Sequence, residues 1–164
     1  MASISGLHQP WAPRPGADAV FASALAIAEF ALRAETLLPA HRDELLSIAI
    51  WKWTERDGKW RTRFRSSGAL SLGPGWHRHV NHEHVTPRLA LRRAMLQEPH
   101  RTGEILRSAQ ACVVTREEHC RLNAVGEELQ GWERYRAAQV GVYDMATGSL
   151  MIWNDDAGGV PARP

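Results

Sequence analysis

From Ala19 to Leu38 the chain carries neither proline nor glycine, and Val20, Phe21, Ala24, Leu25, Ile27, Ala28, Phe30, Ala31 and Leu32 fall on nearly every side of a 3.6-residue spiral. A helix that is apolar almost all round cannot lie on a solvated surface. It belongs inside a core, or at a homo-oligomer contact formed by this helix. Asp18 is placed to cap its start and Pro39 to stop it. The remaining chain must therefore supply a second layer against it. At 164 residues it has the length of one domain of about 100–200 residues. With 44% apolar and 23% charged residues, it has the composition of a globular protein.

The chain divides simply. Residues 1–16 hold three prolines, two glycines and Trp11, and read as an irregular arm pinned by that ring. Residues 17–153 form the globular domain, and 154–164 a flexible tail. A second helix is expected from near His41 through Leu45, Ile48 and Trp53. Trp60 to Arg65 alternates ring and charge, so it reads as a strand with one basic face, Arg61, Arg63 and Arg65. Those arginines suit either an exposed strand edge or a phosphate-facing surface. Ser66 to Gly75 reads as a loop and Trp76 to Val85 as extended chain.

Thr86-Pro87 opens a helix carrying Leu89, Ala90, Arg93 and Leu96. Thr102 caps a shorter one. Ala111 to Thr115 is a short buried strand. Thr115 and Glu118 then form a capping box that starts a helix through Asn123, and Gly126 is placed to end it. Trp132 to Arg136 makes a helical turn. Gln139–Tyr143 and Ser149–Trp153 pair as a hairpin. The fold class expected is α+β.

Two cysteines, Cys112 and Cys120, are too few for a disulfide framework and read as buried thiols. The longest apolar run, Ala19 to Ala28, is too short to span a bilayer, and no secretory leader is expected. A cytoplasmic protein without a membrane partner is expected. Net charge is only +2, but Arg56 to Arg93 is rich in Arg, Lys and His and contains just two acidic residues, Asp57 and Glu83. That stretch is where a polyanion would dock.

Four of the eight histidines, His77, His79, His82 and His84, lie within this basic stretch beside Glu83. Imidazoles transfer protons near neutral pH, and a carboxylate among them favours a hard divalent cation. Phosphodiester hydrolysis needs both: a base for the attacking water and a cation for the phosphate oxygens. His84, at a chain reversal before Pro87, suits the base. Glu83 offers metal ligands, and His119 in the first turn of its helix is placed to reach the same ion. In a flat strand Glu83 and His84 point to opposite sides, so the chain must twist or bulge for both to serve one phosphate. Without that twist His82 shares a face with His84 and becomes the better ligand.

Glu83-His84-Val85-Thr86-Pro87 resembles the acidic-His-apolar-x-Pro opening of the HNH (His-Me finger) endonucleases. Cys112 to Leu122, with His119 on the helix after a short strand, resembles that family's closing element. The resemblance spans about residues 76–125. It implies a ββα-metal core behind the amino-terminal helices, completed by the carboxy-terminal hairpin. It also implies His84 as general base, with Glu83 and His119 on a divalent ion. Mg²⁺ is expected first, with Mn²⁺ or Zn²⁺ as alternatives. His82 would be a further ligand, and Arg88, Arg92, His79 and Asn123 would contact nucleic acid, DNA ahead of RNA. Two other functions fit the residues: a non-catalytic nucleic-acid or protein-binding module on a degenerate finger, and a zinc-binding regulatory protein.

Overall fold

The computed structural model describes residues 7–126 and 128–152. These form an α+β domain of seven helices and one five-stranded sheet. Helix α1 covers Ala17–Arg33 and α2 covers Pro39–Thr54. Strand β1 (Phe64–Ser66) leads into the one-turn helix α3 (Ser67–Leu70). Strand β2 (Val80–His84) is followed by α4 (Arg88–Gln97), α5 (Thr102–Ser108) and strand β3 (Ala111–Thr115). Helices α6 (Arg116–Ala124) and α7 (Gly131–Ala137) precede the hairpin of β4 (Val142–Asp144) and β5 (Ser149–Ile152). The sheet order is β2-β3-β1-β4-β5. β1 and β3 run parallel, and the other neighbours are antiparallel.

The apolar amino-terminal stretch does fold as a helix, but it ends at Arg33, where the Ala34 amide bonds the Phe30 carbonyl. Asp18 lies inside the first turn, and Gly16 at φ 88° takes the cap position. Pro39 begins α2 instead of ending α1, because the first helical position needs no amide donor. One side of α1 packs through Phe21, Ala24, Ala28 and Ala31 against Leu46, Ala49, Ile50 and Trp53 of α2. Leu91 and Met95 of α4 and Leu106 of α5 complete that helical core. Burial is not all round: Phe30 on the outer side is 60% exposed.

Two further cores lie on the two faces of the sheet. On one, Phe64, Cys112, Val114 and Val142 meet Leu122 of α6 and Tyr135 of α7. On the other, Leu7 of the arm closes over Ala69, Val80 and Val113. The arm is irregular, and Trp11 pins it by donating to Asp57 over 3.2 Å.

Several expectations change. Trp60–Arg63 is turn and loop, and the strand that follows is central in the sheet, so it protects no edge. Arg65 points inward, 1% exposed, and donates to the Leu7 and Gln9 carbonyls. Burial pulls its guanidinium down to about 10. Ser66 starts a helix where a loop was expected, because its Oγ accepts from the Ala69 amide. Trp76–Arg78 is a short 3₁₀ turn and not extended chain. In α4 the buried residues are Leu91 and Met95, while Leu89 and Leu96 face solvent. Cys120 is exposed, unlike Cys112. Trp153 and the carboxy-terminal tail lie outside the described residues. Among the described residues no helix is long and apolar enough to cross a membrane.

Candidate functional site

Among the described residues strand β2 lies at one end of the sheet and pairs with β3, placing His82 opposite Val113, Glu83 opposite Cys112 and His84 opposite Ala111. The ladder runs from Val80 to His84 without a bulge. Successive side chains therefore alternate between the faces. Glu83 turns to the face covered by α6 and α7, and His82 and His84 turn to the face covered by α2.

On the first face the capping box holds the start of α6 in place. Thr115 Oγ1 accepts from the Glu118 amide, and the Glu118 carboxylate accepts from the Thr115 amide over 2.7 Å. The same buried carboxylate accepts from Ser66 Oγ over 2.5 Å and from the Gly68 amide over 3.2 Å. Helix α6 is thus fastened to β1 and α3, and the next residue, His119, is carried over Glu83. His119 Nδ1 lies 2.6 Å from Glu83 Oε2, and Arg134 Nη1 donates to Glu83 Oε1 over 2.8 Å. Asn123, one turn beyond His119, has its Nδ2 3.0 Å from His119 Nε2. Its Oδ1 accepts from Arg134 Nη2 over 3.2 Å. The four side chains close a ring: Glu83, His119, Asn123, Arg134 and back to Glu83.

The proton pattern follows from which groups can only donate or only accept. Arg134 has no acceptor, so Asn123 must present its oxygen there and its amide nitrogen to His119. His119 Nε2 is then an acceptor, and Nδ1 carries the proton given to the carboxylate. That is a neutral imidazole whose tautomer is held by Glu83, in the manner of a carboxylate-oriented general base. Arg134 is 4% exposed and Glu83 8%, while His119 and Asn123 reach the surface. The guanidinium balances the carboxylate inside the fold. It also donates to the Leu122 and His84 carbonyls, tying the end of α6 to the end of β2.

The second face is differently built. His82 Nδ1 donates to the Lys59 carbonyl over 2.8 Å, which leaves Nε2 as acceptor. Thr54 Oγ1 lies 3.2 Å from both His82 Nε2 and His84 Nε2. His82 N–H donates to Lys59 and His84 N–H can donate to the Thr54 oxygen, while the single Thr54 proton is divided between the Trp51 carbonyl at 3.1 Å and His82 Nε2. Trp51 covers both rings at 5.2 and 5.5 Å. Burial pulls both imidazoles below their usual range, His84 to about 3, with His82 and Arg88 adding repulsion at His84.

The sequence-predicted residues are therefore partly assembled. Glu83, His119 and Asn123 come together. His84 does not join them: it is buried on the opposite face, and its depressed affinity for a proton is wrong for a base at neutral pH. His82 faces away from Glu83 as well and is consumed by Lys59 and Thr54, so it cannot complete a ligand set. His79 is exposed before β2, and its carbonyl accepts from the Arg116 amide. Arg88 lies over Trp51 at 5.3 Å, on the face away from His119. Arg92 is held to α2 through Ser47 Oγ at 2.9 Å.

The donors do not fit a divalent ion. Both Glu83 oxygens are engaged, one by a buried cation, and His119 alone stands beside them. Among the described residues no group of three His, Cys, Asp or Glu side chains is placed to hold a metal. The zinc alternative draws on His77, His79, His82 and His84 and would gain from Cys112 and Cys120; His82 and His84 are bonded to Lys59 and Thr54, and Cys112 lies on the other face of the sheet with Glu83.

Arg134 and Thr54 were not foreseen. Gly131, Arg134, Tyr135 and Ala138 share one helical face, and an arginine among core-facing positions is the signal that could have drawn attention to it. Thr54 gave no such sign. Comparison with family models, with curated proteins and with solved structures gave no match.

Proposed function

We propose that this protein cleaves phosphodiester bonds of nucleic acid by acid–base chemistry, with His119 as the proton acceptor. One observation carries the reading: an imidazole, oriented by a nearly buried carboxylate whose charge a buried guanidinium offsets, reaches the surface with its second nitrogen covered only by the exposed Asn123 amide. In the reaction Asn123 swings off Nε2, and the attacking water takes its place. His119 accepts that proton as the oxygen closes on phosphorus, and Glu83 stabilises the imidazolium. The proton then passes to the departing oxygen. Arg116, exposed one turn before His119 on the same side of α6, is the counter-charge for the phosphate. No step is routed through a metal ion. The antiparallel pair β2 and β3 followed by α6 supports the finger-like outline, with α4 and α5 inserted between the strands and the base moved from His84 to His119.

The test uses the full chain on plasmid and on single-stranded DNA and RNA. His119→Ala, at a partly exposed position, is expected to stay folded and to lose about 10²-fold or more in cleavage rate. His84→Phe is expected to keep it. Undiminished cleavage by His119→Ala would sink the assignment. A non-catalytic binding module is the second reading, favoured by Asn123 covering Nε2. It predicts no cleavage by the wild type under any condition, with binding retained.

A further inference from the structure

Away from the Glu83 ring, the other side of β2 carries a feature the cleavage reading does not use. Three half-buried indoles, Trp51, Trp60 and Trp76, line up in one stripe, the first two joined through Lys59 and the last two edge to face. Arg88 lies 5.3 Å over Trp51, and Lys59 stands 6.0 Å from Trp51 and 4.8 Å from Trp60. Trp60 meets Trp76 edge-on at 6.3 Å, and the His77 ring follows at 6.1 Å. Cations flank Trp51 and Trp60, and Trp76 and His77 continue the row ring against ring. Arg88, Lys59 and His77 are all exposed. Asp57 is buried and accepts from Trp11 and the Arg14 amide, while Glu44 lines the same cavity as Trp51 and Arg88, with Lys52 beside it.

We infer that this stripe binds single-stranded nucleic acid, with bases laid on the indoles and phosphates against Arg88 and Lys59. Large rings at a surface cost hydration unless something covers them, and every base offers a π-face to cover one. The cations would attract an acidic protein surface as well as a phosphate backbone, but the rings add stacking, which bases supply and an acidic surface does not. A duplex keeps its bases stacked inside and presents phosphate only, so it gains the charge and not the stacking. The inference rests on the nucleic-acid partner of the cleavage reading but not on its chemistry.

The experiment measures binding of a fluorescein-labelled (dT)20, and of the matched duplex, to the full chain in EDTA, with tryptophan emission read in parallel. The single strand is expected to bind at least about 10-fold more tightly than the duplex and to quench tryptophan. Trp51→Ala and Trp60→Ala are each expected to weaken it by about 5- to 150-fold, as loss of one stacked base does. Lys59→Ala and Arg88→Ala should each flatten the dependence of log affinity on log salt by about 0.7. Equal affinity for the duplex overturns the proposal, as does (dT)20 binding that ignores the tryptophan variants. Should those variants unfold, the exposed Lys59 and Arg88 decide: an unchanged salt slope in both overturns it. The His119→Ala protein separates the two readings. Binding retained without cleavage in any form of the protein sinks only the catalytic reading, and cleavage without quenching sinks only this one.

Discussion

Consider lowering the pH from 7.5 to 5. His84 binds a proton near pH 3 in the folded protein and near 6.5 once unfolded. Between those values the unfolded chain carries a proton that the native state lacks, so stability falls as pH falls. The contribution is complete above pH 6.5 and declines through the window down to about 3. Each pH unit in that window is worth roughly 1.4 kcal/mol for one group. From 7.5 to 5, His84 alone therefore removes about 2 kcal/mol, and His82, lowered by the same burial, adds to it in the same direction. For a chain of this size that is a fall of about 4–8 °C in Tm. The assay is urea unfolding at pH 7.5, 6.5, 5.5 and 5, on wild type and His84→Phe. Phe keeps the ring beneath Trp51 and removes the titration, so the variant should lose about 2 kcal/mol less over the range. Parallel curves for the two proteins would refute the reasoning. So would a His84 imidazole resonance titrating near pH 6.5 in the native state, which would also reopen His84 as a base.

Three further outcomes follow from the same geometry. Arg134→Met leaves Glu83 buried without its guanidinium and should destabilise by about 3–5 kcal/mol in urea unfolding, with part of the loss recovered by adding Glu83→Gln. Gly68→Ala drives a methyl into Glu118 Oε1, and that carboxylate is fixed by Ser66 and Thr115. A cost of about 1–3 kcal/mol is expected, and a neutral result would mean Glu118 is freer than its bonds indicate. Chelation with EDTA should change neither Tm nor any cleavage rate; restoration of activity by added Mg²⁺ or Mn²⁺ would show that Glu83 and His119 release Arg134 and Asn123 to take up an ion.

What could be read from the sequence was mostly what is local. The Thr115–Glu118 box needs only three residues of spacing, and it folds as expected. The meeting of Glu83 with His119 also followed, because a strand and a capped helix already fixed where each side chain could go. The side on which His84 lies was legible in principle: period-two alternation separates it from Glu83, and the twist needed to overcome that did not form. Arg65 was misread since ring-charge alternation looks the same on an exposed strand and on a central one. Only the sheet order, set by β3 and β4 pairing on either side, puts that guanidinium indoors. Arg134 acts on Glu83 across 51 positions, a distance no short pattern spans.

The first described residues matter more than their place at the chain's start suggests. Leu7 fills a slot over Val113 and Ala69, and the carbonyls of residues 7 and 9 receive the Arg65 guanidinium in mid-sheet. A version of the protein begun at residue 11 would open that slot to water and strip Arg65 of two acceptors at once. Amino-terminal trimming, whether by a protease or by design, should therefore act as a core mutation and lower yield of folded material, whereas the same cut on an ordinary leading arm would pass unnoticed.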